Sequence, residues 1–499
     1  MNTSLRDPAW GVAQLALRKE IANWIKGAMA RNAPIPFQGG HDEANYTHSW
    51  AEYARLTGDP KPLEFMRTLR DQIIAWPKFH HGFYPDPTMD IEHSVENWTC
   101  FMTALARVEP EDEKTLAAIE DVVHHLGNWA PGVPDWYDWK THRFTSEWVG
   151  TRGVRNFPPY DATTYWDARA AELALTYFEL RADRKYLDWA ADYAAEWARV
   201  VLEGKDTGPW CLFPISDREE IKRRYGEYPE NFQTRNKGWI GEMGRLFLHV
   251  YRLTRDARFQ RAALKIIEHT QPPAIPKQTY QDATGDLRFQ ADIKAEDRAS
   301  AADAASLLDE PLPSVLLLEG DVTYPRRQYA HRGPSGELRD CTASPTALWR
   351  AFGLTDDARF AARALDLAAL ELRMACRTLR DGREHGCNGR FIHGAGAVAV
   401  RTLCGAACAN EVEYFAADGP RGLPAAMAAL VCVDEAHPNA RRVCLYNDGP
   451  NPQTIRIRPA KDQPPMRNAF AEDGQSLFKD GAAVVVAAAR NVTVVVVRN

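Results

Sequence analysis

The chain has 499 residues, of which 26% are charged and 45% hydrophobic, and a formal net charge of −6 at pH 7. That is an ordinary globular balance in a chain too long for one core unless its elements repeat, and its slight acidity leaves no footing for nucleic-acid or membrane-surface partners. Nine cysteines without a CxxC pair read as reduced thiols of a cytoplasmic protein, the first residues lack a secretory pattern, and no apolar run approaches the roughly 20 residues that cross a bilayer.

Taken in chain order, the segment Trp10 to Met29 is amphipathic and opens the helical part. Five Trp-bearing helices then follow at 41–56, 91–108, 160–180, 234–253 and 342–354, with Trp50, Trp98, Trp166, Trp239 and Trp349 in similar places. Each leads through a short turn into a second amphipathic run, at 57–74, 109–126, 181–201, 254–270 and 355–373, and Asp59, Asp112, Asp183, Asp256 and Asp357 recur where those runs start. An aspartate there accepts from free backbone N–H groups and suits the helix dipole. The stretch Phe391 to Ala409 is helical in composition and pairs with the N-terminal run as a sixth unit. Six such pairs predict a mainly α fold, an (α/α)6 toroid over residues 1–410; an open solenoid is the alternative if the terminal helices do not meet.

Residues 271–341 interrupt the series as a long insertion, with a helix candidate at 297–309. From about residue 411 to 499 the texture turns to short apolar runs separated by turn signals such as Asn447-Asp448-Gly449, which predicts a small C-terminal antiparallel β-sandwich.

In a ring of hairpins the inner helices run the same way, so the loops before them gather at one mouth. Those loops are rich in groups that bind sugars or move protons: His41, Asp42 and Glu43; Asp90 and His93; Tyr160 and Asp161; Arg235; Arg332. Glycosidic cleavage needs two carboxyl groups about 5 Å or roughly 6.5–9.5 Å apart. Asp161 as proton donor and Asp90 as the second carboxylate are the favoured pair, with Asp42, Glu43, Glu96 and Glu242 in reserve. Each is also an ordinary N-cap or ion-pair residue. His93 and Tyr160 complete the catalytic candidates, His93 with Glu92, Glu96 and Asn97 being the alternative proton-transfer group. His41, Asp42, Glu96, Asn97, Arg235, Glu242 and Arg332 are expected to contact substrate, as are Trp98, Trp166 and Trp239, whose rings stack on sugars as readily as in a core. Arg152 and Arg155 add positive charge suited to a uronate carboxylate. His41, His48 and His93 lack the tight spacing of a metal motif, so no metal or cofactor is expected.

The turns LTGDPKPLEF, LRADRKYLDWA and LTRDARFQRAA resemble the helix junctions of the (α/α)6-toroid carbohydrate-active enzymes, both glycoside hydrolases and polysaccharide lyases. Asp90 and Asp161 loosely resemble the carboxylate placement of unsaturated glucuronyl hydrolases. The resemblance implies an oligosaccharide substrate, uronate-containing, cleaved by carboxylate acid–base hydrolysis. Two alternatives stand beside it: a lyase, in which Tyr160 or His93 removes a proton and Asn97, Asn231 or Arg235 neutralises the uronate, and a non-catalytic helical-repeat scaffold.

Overall fold

The computed structural model describes residues 3–157, 160, 167–203, 240–270, 329–332, 338–341, 345, 348, 349, 352, 356–377, 390–407 and, apart from a few turn positions, 412–498. The helical part comprises α1 (Ala9–Asn32), α2 (Trp50–Thr57), α3 (Lys61–Ile74), α4 (Ile91–Glu96), which runs through a π-helical segment (Asn97–Met102) into α5 (Thr103–Val108), and α6 (Glu113–Leu126). It continues with α7 (Ala168–Arg181), α8 (Arg184–Glu203), α9 (Ile240–Thr254), α10 (Ala257–Thr270), α11 (Ala358–Arg377) and α12 (Arg390–Ala406).

The architecture is an (α/α)6 toroid. α2, the α4–α5 helix, α7, α9 and α12 form its inner wall, with Leu348, Trp349 and Phe352 in helical conformation at the position of the remaining inner segment. α1, α3, α6, α8, α10 and α11 form the outer layer. α1 packs on α11 and α12, and α12 packs on α2, so the two ends of the helical region meet as the sequence predicts.

Local chemistry explains the repeated junction. Four inner helices close on a residue with left-handed backbone, Gly58, Ala182, Arg255 or Asp356, at φ of 73°, 59°, 59° and 51°. Each donates its N–H back four residues, for example Ala182 to the Phe178 carbonyl at 2.6 Å. The next residue is the recurring aspartate, which accepts from the N–H two positions on: Asp59 from Lys61, Asp183 from Lys185, Asp256 from Arg258 and Asp357 from Arg359. Outer helices then bury one face at three- and four-residue spacing. In α8 this face carries Tyr186, Trp189, Tyr193 and Trp197, and Trp189 stacks on Tyr193 with ring centroids 6.0 Å apart.

The C-terminal strands are β8 (Val412–Ala416), β9 (Met427–Asp434), β10 (His437–Asn447), β11 (Gln453–Pro459), β12 (Asn468–Ala471), β13 (Ser476–Lys479), β14 (Ala482–Ala487) and β15 (Asn491–Arg498). They form two antiparallel four-stranded sheets, ordered β12-β15-β10-β9 and β13-β14-β11-β8. β15 is buried over Val492 to Val497 without alternation. One reason is that it meets the second sheet at β14 and also the N-terminal turn Thr3–Arg6.

The sandwich is fastened to the toroid through α1. β9 is an edge strand, and its Ala429 exchanges two hydrogen bonds with the Gln14 side chain, Nε2 to carbonyl at 2.9 Å and N–H to Oε1 at 2.6 Å. Gln14 is 1% exposed, so one side chain stands in for a neighbouring strand in a dry interface. Arg18 donates to the carbonyls of Leu423 and Pro424. Gly58 touches the same region: a Cβ there would lie 2.1 Å from the Arg421 carbonyl oxygen. Replacing Gln14 by alanine leaves a buried N–H and a buried C=O unpaired and is expected to cost about 2–4 kcal/mol, read as a lower urea midpoint. Gln14→Glu, which keeps only an acceptor, should recover little of it.

Candidate active site

The loop before α2 is folded by Glu43, whose carboxylate accepts from the N–H groups of Gln38 (2.8 Å) and Gly40 (3.0 Å). Tyr84 and Asn97 donate to the carbonyls of Gly39 and Gly40 at 2.7 and 2.8 Å. These contacts hold the loop against the second inner helix and leave His41 facing it. Glu43, a reserve catalytic candidate, is a loop-building residue here.

The loop before α4 is fixed by a short ladder. β1 (Met89–Asp90) pairs antiparallel with β4 (Trp148–Gly150), Asp90 opposite Trp148, and Ile91 N–H donates to the Glu147 carbonyl at 2.9 Å. Asp90 then caps α4: its carboxylate accepts from the His93 N–H at 2.8 Å and from His93 Nδ1 at 2.7 and 2.8 Å. Glu92 lies 2.9 Å from the same nitrogen. The backbone widens to π-helical spacing from Asn97, directly after Glu96, a distortion that often accompanies functional sites.

The third inner helix contributes Arg169, the second residue of α7, which ion-pairs with Glu92 and, at 3.2 Å, with Glu96. His41 Nδ1 meets Glu96 Oε2 at 2.9 Å, and the rings of His41 and His93 stand edge to face at 4.6 Å. Residues preceding or opening three successive inner helices therefore share one cluster.

Its electrostatics follow from its partners. Burial alone pulls the His93 imidazolium down, but its hydrogen bonds to Asp90 and Glu92, together with their charges, outweigh this and hold it up to about 10. Burial pushes the Glu96 carboxyl up, yet His41 and Arg169 carry the balance, and it sits below its ordinary value. His93 is thus a fixed cation at neutral pH and Glu96 a fixed anion. Two overlapping sets, His41, His93 and Glu96, and Asp90, Glu92 and His93, each place three potential ligand atoms within 4.8 Å of one another. Hydrogen bonds and ion pairs already join their members.

Trp148 and Tyr160 stand beside this cluster, rings 5.4 Å apart, and Tyr160's carbonyl accepts from the Glu147 N–H at 2.8 Å. Other sequence candidates lie differently. Trp98 is 3% exposed and Gly82 packs closely against its ring, so stacking on a sugar is corrected to core packing. Asp42 and Asn97 are each 4% exposed; Asn97 acts on the Gly40 carbonyl. Asp161, Trp166, Arg235 and Trp239 fall outside the described residues, as do all of 271–328, while Glu242 in α9 and Arg332 in the hairpin strand Tyr329–Arg332 are described by backbone alone.

No protein-family model matches the chain, and no curated protein does. Among solved structures it is similar to a β-arabinofuranosidase of glycoside hydrolase family 127, at 13% identity over 91% of this chain and 78% of that one, TM-score 0.42. It is also similar to a cellobiose 2-epimerase from Spirochaeta thermophila (16% identity, 68% of this chain and 98% of that one, TM-score 0.40). A third is a family 76 glycoside hydrolase from a bovine Bacteroides thetaiotaomicron strain (9%, 78% and 77%, TM-score 0.37). The site rests on its own side chains.

Arg169 was not among the sequence candidates. In ARAAELALTYFELR it reads as the solvated edge of an amphipathic helix. The usable signal is a cation in the first turn of an inner helix, where the helix dipole disfavours it and a facing carboxylate offsets that cost.

Proposed function

We propose that the chain is a carbohydrate-active enzyme that hydrolyses glycosidic bonds of uronate-containing oligosaccharides in the basin around Asp90, His93 and Glu96. The observation that carries this reading is the charge balance among the described residues: three carboxylates, Asp90, Glu92 and Glu96, face two cations, His93 and Arg169. A surplus of fixed negative charge favours the oxocarbenium-like transition state of glycoside hydrolysis. It opposes β-elimination, which builds negative charge beside the uronate and needs surplus cations.

Asp90, oriented by His93, is the second carboxylate, and we assign the proton donor to Asp161. Its place in the chain supports this, because the preceding residue, Tyr160, bonds to the Glu147 segment that pairs beside Asp90. The His41–Glu96 contact fixes an imidazole beside His93, where it can serve the leaving group or the attacking water. His93, held protonated, is unsuited to act as the base of a lyase.

The test is incubation with saturated and unsaturated uronate oligosaccharides, following chain length and ultraviolet absorbance together. Shortening without a rise in absorbance is expected. A rise would mark a lyase, and intact glycans across the panel would leave the scaffold reading in front.

A further inference from the structure

We infer that Arg155 is the specificity residue that receives the carboxylate of an acidic sugar, with Trp148 beneath it as part of the same subsite; this rests on the hydrolase reading of the basin. Its guanidinium carbon lies 4.7 Å from the Trp148 ring centroid and 5.2 Å from that of Tyr160. The backbone of Arg155 is clamped at both ends, its N–H donating to the Trp148 carbonyl at 3.0 Å and its carbonyl accepting from Ser146 Oγ at 2.7 Å. Two aromatic rings and a pinned backbone hold the planar group in one orientation at little entropic cost.

Two further observations point it at a ligand. Arg70, Arg169 and Arg252 are each ion-paired, whereas among the described residues no carboxylate pairs with Arg155. Trp148 is also the direct cross-strand partner of Asp90, and such partners project from the same face of a ladder with Cβ atoms about 5 Å apart. The unpaired fork therefore stands on a ring adjoining the carboxylate assigned to the chemistry. The cluster itself carries surplus negative charge and repels an anionic sugar, so the cation beside it sets the sugar's orientation: carboxylate on Arg155, anomeric carbon over Asp90.

The experiment compares a uronate oligosaccharide with its carboxyl-reduced counterpart, and adds a neutral oligosaccharide bearing a sulfate ester. Calorimetric Kd and hydrolysis are both measured, on wild type, Arg155→Met and Arg155→Lys. The wild type is expected to bind the uronate about 10–100-fold more tightly than the reduced sugar. Arg155→Met should erase that ratio by weakening the uronate far more than the reduced sugar, and Arg155→Lys should restore part of it, since lysine supplies charge without the bidentate fork. Equal wild-type affinity for the two sugars, equal loss on both in Arg155→Met, or preference for the sulfate ester would overturn the assignment. An intact binding ratio without cleavage would instead sink the hydrolase reading and leave Arg155 as the carboxylate site.

Discussion

The Asp90→Asn variant is expected to lose about three orders of magnitude in kcat on a uronate oligosaccharide, the scale of a removed acid–base or nucleophilic carboxylate, while keeping its fold. Asparagine is as good an N-cap as aspartate, so the hydrogen bond from the His93 N–H to residue 90 survives and α4 should start as before. What disappears is one negative charge and one of the two carboxylates on His93 Nδ1. His93 should then titrate well below the value near 10 that it has with both, which NMR of the imidazole resonances reads independently of turnover. A variant with a lowered His93 titration and activity within a few-fold of wild type would show that Asp90 only orders the histidine. An unchanged thermal midpoint is needed for either conclusion.

How much of this was legible in the sequence depended on whether a residue's role was local. The helix junctions were readable because capping is local chemistry: aspartate after a left-handed residue gives the same turn wherever it occurs, as at Asp183, Asp256 and Asp357. The β texture after 411 was readable for the same reason. Asp90 and His93 stand out because they lie in one short loop, where the carboxylate caps α4 and binds the imidazole; the N-cap role of Asp90 is local chemistry, and its catalytic role is the one proposed above. Arg169 and the Gln14–Ala429 pair depend on partners 77 and 415 residues away in the chain, and no local pattern announces them. Trp98 shows the converse limit. A tryptophan at a repeated helical position fits a core and a sugar platform equally well by sequence, and only its burial decides.

Stability is expected to peak near neutral pH and to fall on the alkaline side for an identifiable reason. His93 is raised from 6.5 to about 10 by Asp90 and Glu92, against its burial. His249, in α9, is raised to about 9 by Glu172 and Glu179 of α7, again against burial. A histidine whose folded value exceeds its unfolded one contributes stability that is complete below about 6.5 and lost as pH climbs through the folded value. The His249 contribution therefore fades first, through about 9, and that of His93 through about 10. His93 keeps 26% of its side-chain surface in solvent, so screening trims its share, and on the order of 2–4 kcal/mol is expected from the pair between neutral pH and the upper end of the window. His125 acts on the other side: burial lowers it to about 4, so its contribution is present above 6.5 and lost as pH falls toward that value. Urea midpoints measured from pH 4 to 10 test the profile. His249→Gln should flatten the first part of the alkaline limb and His93→Gln the last, and a limb unchanged in both variants would rule out these two histidines as its cause. Because Asp90 and Glu92 share the His93 proton, deprotonation removes the cation that orients Asp90 and leaves Glu92 to Arg169 alone, so activity should decline along the same upper limb.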